Sequence, residues 1–199
     1  MTGRSGRALS RSEEIADAAI PVFLRFGLRK TSMDDLAKAA GLSRQGLYLH
    51  FKNKQQLFHA GLQRVVAQTQ AAVARELARA DLPAHERLMG AFTALHGPAA
   101  TATGDAVDEL LAAARTSGNS LLHDLERFVV EAVSDVLRAE GAPERNPGAS
   151  AEDLAFQLLA VAAGVKQLTV PPSDRARHIH LAIALVLGPA DRPPRLDTP

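Results

Sequence analysis

The chain has 199 residues, of which 46% are hydrophobic and 23% charged, the proportions of a soluble globular protein with one full domain or two small ones. It has no cysteine, which excludes disulfides, thiolate metal sites and thiol redox sensing. Net charge is only +1, yet residues 1–54 hold 10 Lys and Arg against 5 Asp and Glu (+5), and residues 55–199 hold 13 against 17 (−4), so the positive field is gathered at one end.

The apolar residues are mostly Ala and Leu rather than β-branched or aromatic, which predicts an all-α fold of about nine helices. Residues 1–9, with Arg4 and Arg7 among Gly, Ser and Thr, read as a disordered basic arm. MTGRSGRALS lacks the hydrophobic segment of an export signal, and no apolar run approaches the length of a membrane span, so a cytoplasmic protein with no membrane partner is expected. A first helix is predicted from Ser10, with Glu13 completing a capping box, and Ile15, Ala19, Val22, Phe23 and Phe26 facing inward before Gly27 ends it. Pro21, well inside that helix, predicts a local kink.

The stretch from Lys30 to Phe58 carries the strongest signals. Ser32 caps a helix whose first turn holds Asp34 and Asp35, and Met33, Leu36, Ala37 and Ala40 fall at helical spacing before a left-handed stop at Gly41. Leu42 is expected as the buried bridge of the turn. Ser43 then caps a very short helix from Arg44 to about His50, with Leu47 and Phe51 inward. A helix so short is unstable alone, so the polar residues on its outer face need a reason to be held there. A DNA major groove supplies one: Arg44 suits a guanine edge and Gln45 an adenine, each worth roughly 1–3 kcal/mol of discrimination. Gly46 removes bulk where backbone meets DNA, and Tyr48, His50 and Lys54 suit phosphate oxygens. With the capping serines Ser32 and Ser43, these form the expected DNA-binding set, and the basic arm can lie along a neighbouring minor groove.

Ala37, Ala40, Gly41, Leu42 and Ser43, then Leu47, Tyr48, His50 and Phe51, then Lys54, Leu57 and Phe58 together resemble the N-terminal domain of the TetR family of transcriptional regulators. The resemblance is specific over about residues 10–60. It implies a helix-turn-helix DNA-binding domain at residues 10–56, and beyond it a helical ligand-binding and dimerisation domain at residues 57–188 that diverges widely within the family.

Helix four is predicted from Lys54 to about Arg79 with no flexible linker, and Pro83 opens another helix, Ala84 to His96, with Leu88, Phe92 and Leu95 on one face. Asp105 to Thr116 reads as a short helix, and the turn Ser117-Gly118-Asn119 starts a longer one running to Glu140. GAPERNPGAS is expected as a loop. The last two helices, about Ala151 to Leu168 and Ser173 to Leu187, are more apolar than one buried face can use. A second buried face follows, most simply a homodimer pairing these helices with their copies, for which Leu158, Val161, Ala162, Val165, Ile183 and Leu187 are the candidates and Ala160, Ala163 and Gly164 allow close approach. Two reading helices related by a twofold axis would match half-sites about 34–36 Å apart, hence a palindromic operator of double-stranded DNA. Residues 189–199, rich in Pro, are expected to be disordered.

The family resemblance further implies a small-molecule effector, of unknown identity, enclosed by the middle helices, whose binding moves helix four and respaces the reading heads. Candidate lining residues are Phe92, His96, Leu110, Leu125 and Phe128, with His123 as a polar contact. With aromatics at 4% and no Trp, a mainly aliphatic pocket is expected. An enzyme is the rival class, but none of the seven His has Glu three positions before it, as a carboxylate-bridged metal pair in a bundle requires, and His178 and His180 are spaced for a strand rather than one helix face. No nucleophile motif or phosphate loop occurs, so no catalytic residue, cofactor or metal is expected.

Overall fold

A computed structural model describes residues 9–96, 119–167 and 171–188, and every regular element among them is an α-helix. In chain order they are α1 (Arg11–Lys30), α2 (Met33–Ala39), α3 (Arg44–Tyr48), α4 (Lys54–Leu77), α5 (Ala84–His96), α6 (Asn119–Ala139), α7 (Ala142–Arg145), α8 (Ala151–Gln167) and α9 (Pro172–Leu187). The predicted helix at Asp105 to Thr116, the basic arm and the Pro-rich tail lie outside the described residues. No described helix is long and apolar enough to cross a membrane.

The chain divides into two compact units, residues 1–68 with 97–124, and residues 69–96 with 125–199. The boundary at Gln68 lies further on than the expected one near residue 56, because the first half of α4 packs with the helices before it. Ile15, Ala19 and Phe23 of α1, Leu36 of α2, Leu47 of α3 and Leu57 and Phe58 of α4 bury into a single core. Phe23 and Phe58 meet edge to face with ring centroids 5.4 Å apart, a favourable arrangement of their quadrupoles. Arg64 of α4 grips Asp17 of α1 with two hydrogen bonds, Nε at 2.9 Å and Nη2 at 2.8 Å.

Two expectations for α1 are corrected. The capping box at Ser10 and Glu13 is present, but the break falls at Gly27 (φ 76°), and the helix resumes to Lys30. Pro21 keeps the helix because it lies on the exposed face, where water can satisfy the carbonyl its ring leaves without a partner. Phe26 is 45% exposed, with the Arg25 guanidinium 5.1 Å from its ring centroid. The buried row runs Ile15, Ala19, Phe23, Gly27 at every fourth residue, which puts Phe26 beside the seam rather than in it.

The second unit is built on Val73 and Leu77 of α4, Leu88 and Phe92 of α5, Val129, Val133 and Leu137 of α6, Leu154 and Leu158 of α8, and Ile183 of α9. Arg87 closes the end of α4, donating from Nε to the Leu77 carbonyl at 2.8 Å. The expected loop after α6 contains a one-turn helix: Gly141 is left-handed (φ 65°), α7 follows with Pro at its start, and the Asn146 amide donates to the Ala142 and Val186 carbonyls at 2.8 and 2.9 Å. Four residues are too few for a periodic pattern to reveal. His180 of α9 packs edge-on against His85 of α5, centroids 4.2 Å apart.

Candidate nucleic-acid interface

Each element of the turn is held by local chemistry that the sequence supplies. Ser32 accepts from the Asp35 amide at 3.2 Å while Asp35 accepts from the Ser32 amide at 3.1 Å, a reciprocal cap on α2. The Ser32 hydroxyl and amide both bond the Asp35 carboxylate and hold it below its ordinary range. Gly41 takes φ 64°, which lets the Leu42 amide reach back to the Ala37 carbonyl at 2.8 Å. Ser43 caps α3 by accepting from the Gly46 amide at 3.0 Å. Both capping serines therefore act first on backbone.

Gly46 has an inward reason that the sequence did not suggest. A Cβ there would stand 3.2 Å from the Ser43 hydroxyl and 3.8 Å from the Leu42 Cβ, so the glycine leaves room for the cap itself.

α3 is five residues long and is fixed by Leu47, 0% exposed, with Phe51 buried behind it. Its other side chains turn outward: Arg44, Gln45, Tyr48, Leu49 and His50 are all exposed. Leu49, 83% exposed, is a large apolar side chain on this surface that sequence reasoning passed over, because the helical pattern alone cannot say which way the last turn of so short a helix points. The Arg44 guanidinium donates from Nη1 to Asp34 at 2.9 Å and lies 5.8 Å from the centroid of the Tyr48 ring. Tyr48 first, and the Asp34 carboxylate second, raise its pKa further, so it is a permanent cation. His50 Nδ1 sits 3.4 Å from the Ser12 hydroxyl of α1.

Lys54 stands apart from this surface. Its ammonium donates to the carbonyls of Arg29 at 2.9 Å and Thr31 at 3.1 Å, so two of its three N–H groups tie α4 to the end of α1. The signal was beyond sequence reading, since those carbonyls are 25 and 23 residues away.

The other predicted site residues fall as follows. Phe92 is filled into the second core and buried, Leu125 and Phe128 are half-buried against that core, and His123 is exposed. Leu110 and the side chain of His96 lie outside the described residues. Leu158, Ala162, Val165 and Ile183 are buried within the chain itself, which corrects their assignment to a partner surface. Both helices contain runs, LLAVAAGV and IHLAIALVL, more apolar than one buried face can use, so periodicity did not reveal which stripe faces inward. Val161 and Leu187 are half-buried, whereas Phe156, Leu181 and Leu185 are exposed, Leu185 by 82%. Among the described residues no group of three or more His, Asp or Glu is placed to hold a metal ion.

An all-α chain opening on a helix-turn-helix, with a separate helical unit behind it, defines a class of DNA-binding regulators. Residues 15–60 match the family described as bacterial regulatory proteins, tetR family. The probable acrEF/envCD operon repressor of Escherichia coli K12 is 42% identical over 52 residues, 26% of this chain and 24% of that protein. The HTH-type regulator RutR of the same strain is 33% identical over 66 residues, 33% of this chain and 31% of that one. The sequence matches thus span about a quarter to a third of these relatives. In fold, a transcriptional regulator from Rhodococcus sp. Rha1 superposes with a TM-score of 0.66 at 24% identity, covering 89% of this chain and 96% of that one. SmeT, the repressor of the Stenotrophomonas maltophilia multidrug efflux pump SmeDEF, does so with a TM-score of 0.59 at 24% identity, covering 91% and 89%. Residues 15–60 thus match the DNA-binding domain of the TetR family of transcriptional regulators, and the described chain shares the fold of the superposed regulators.

Proposed function

We propose that the protein is a repressor that binds a palindromic operator as a homodimer and is released when a small molecule binds within residues 57–188. The observation that carries this is the division of α3: Leu47 buries completely while Arg44 and Gln45 are exposed, so a helix with almost no stability of its own is held where a guanidinium and an amide meet solvent. Arg44 reads guanine and Gln45 adenine in the major groove. Tyr48, His50 and the remaining N–H of Lys54 meet phosphates, which orient the helix without specifying sequence. Occupying a promoter requires only affinity, whereas activation requires a polymerase contact, so repression is the simpler outcome.

The homodimer forms through α8 and α9, on the face that carries Phe156, Leu181 and Leu185. Ala160, Ala163 and Gly164 are also exposed on α8, and a Cβ on Gly164 would meet nothing within 4 Å, so a partner helix can come close there. The pocket that takes the effector is mainly aliphatic, and the protein works in the cytoplasm. α4 contributes residues to both compact units, which makes it the element through which effector binding reaches α3.

The test is selection from a random duplex library. An enriched palindrome, with Arg44→Ala losing preference at one base of each half-site by roughly 5–150-fold, supports the reading. An unchanged ranking of sequences in Arg44→Ala would remove Arg44 from its role, and failure to enrich any duplex would remove DNA binding itself.

A further inference from the structure

Arg44 and Asp34 are each about half exposed, with side-chain accessibilities of 59% and 49%, and lie 2.9 Å apart across the first turns of the two helices of the motif. An ion pair so open to water contributes little to folding. Its consequence lies instead in where it holds the guanidinium. Resting on the DNA-binding reading above, we propose that Asp34 is a positioning residue for specificity: its carboxylate aims Arg44 at a guanine edge and penalises binding that uses the DNA backbone alone.

The geometry supplies both halves of this role. Arg44 is the first residue of α3 and carries a long side chain that would otherwise sample many rotamers, and a free guanidinium will take any phosphate oxygen within reach. Here Nη1 is engaged by Asp34 and the guanidinium lies near the face of the Tyr48 ring. Carboxylate and ring together restrict the guanidinium, and a planar fork held at one corner is suited to a two-pronged acceptor such as guanine O6 and N7. Phosphates, by contrast, are repelled by the Asp34 carboxylate, whose charge the neighbouring Arg44 cation offsets in part. A guanine edge carries no net charge and does not incur that penalty. The carboxylate thus lowers affinity for every sequence while lowering it least where Arg44 finds its base.

The prediction runs against the usual effect of a substitution in a binding site. Asp34→Asn should bind unrelated duplexes several-fold more tightly and discriminate less. The readout is a duplex enriched by the wild-type protein and then resynthesised with 7-deazaguanine at each guanine in turn, which removes N7 alone. In the wild type one guanine per half-site should be sensitive, with affinity falling about tenfold. In Arg44→Ala that sensitivity should vanish. In Asp34→Asn and Asp34→Ala it should shrink to about threefold or less, while affinity for an unrelated duplex rises and the thermal midpoint of unfolding stays within a degree or two.

A purely structural role for Asp34 would instead lower the midpoint and weaken all duplexes together, which would overturn the proposal. Full 7-deazaguanine sensitivity in both Asp34 variants, with unrelated-duplex affinity unchanged, would overturn it while leaving Arg44 as the reader. No sensitive guanine in the wild type would also overturn it, without bearing on whether DNA is bound. Enrichment of no duplex at all would be the separate failure of the reading on which it rests.

Discussion

The ammonium of Lys54 closes the end of α1 by donating to the carbonyl of Thr31, whose own hydroxyl donates back to the Gly27 carbonyl at 2.7 Å. The first residue of α4 therefore braces the helix that stands behind α3. Removing the ammonium leaves two carbonyls short of a charged donor, so Lys54→Met should cost about 1–2 kcal/mol in urea unfolding. If the third N–H meets a phosphate, the same variant should also flatten the salt slope of DNA binding by about one. An unchanged unfolding midpoint would show that the brace contributes nothing.

Arg64 and Asp17 form a further link between α4 and α1, a two-pronged pair assisted by the Gln68 amide, which donates to Asp17 at 3.2 Å. The two side chains are 19% and 30% exposed, so screening is substantial and the coupling should be about 1 kcal/mol. A double-mutant cycle of Arg64→Met and Asp17→Asn measures it. Coupling near zero would reduce the pair to surface decoration.

Gly61 permits the same approach of helices by having no side chain. A Cβ there would lie 2.5 Å from Ile20 Cδ1 and 3.5 Å from the Ala16 carbonyl. The Ile20 tip can yield, and alanine regains about 1 kcal/mol of helix propensity, so Gly61→Ala should be close to neutral in thermal unfolding. Leucine has no such escape, and Gly61→Leu should cost about 1–3 kcal/mol by overpacking. Equal midpoints for the two variants would mean that the helices are free to separate.

Acid should loosen two helix starts before the core. Asp35 and Asp153 both lie below their ordinary range, in each case chiefly because the capping serine, Ser32 or Ser150, bonds the carboxylate. A depressed folded pKa contributes stability that is fully present above the unfolded value of about 3.9 and is lost as pH falls through the lower folded value. Amide exchange in the first turns of α2 and α8 should therefore accelerate below about pH 4, and Asp153→Asn should reduce that dependence in α8, where Glu152 is also lowered. An undiminished acid step in the Asn variant would assign it to another group.

Neighbouring residues on α9 separate dimerisation from folding. Leu185 is exposed and Ile183 is 0% exposed. Leu185→Glu should yield a folded monomer by sedimentation, with operator affinity lost through the missing second half-site. Ile183→Glu should fail to fold, since it buries an unpaired charge. A Leu185→Glu protein that remains dimeric would place the interface elsewhere.

The local devices of this chain were readable from its residues: the box at Ser10 with Glu13, the cap at Ser32, the left-handed Gly41, the cap at Ser43 and the inward Leu47. Each depends on partners within four or five positions, where helical spacing dictates geometry. Tertiary structure decided that α1 passes Pro21 unbroken and resumes beyond Gly27, that Lys54 turns toward backbone carbonyls, and that Asp34 holds Arg44 from ten positions away. It also decided the inward stripe of α8 and α9, because runs more apolar than one buried face can use carry no periodic mark of which side the rest of the chain will cover.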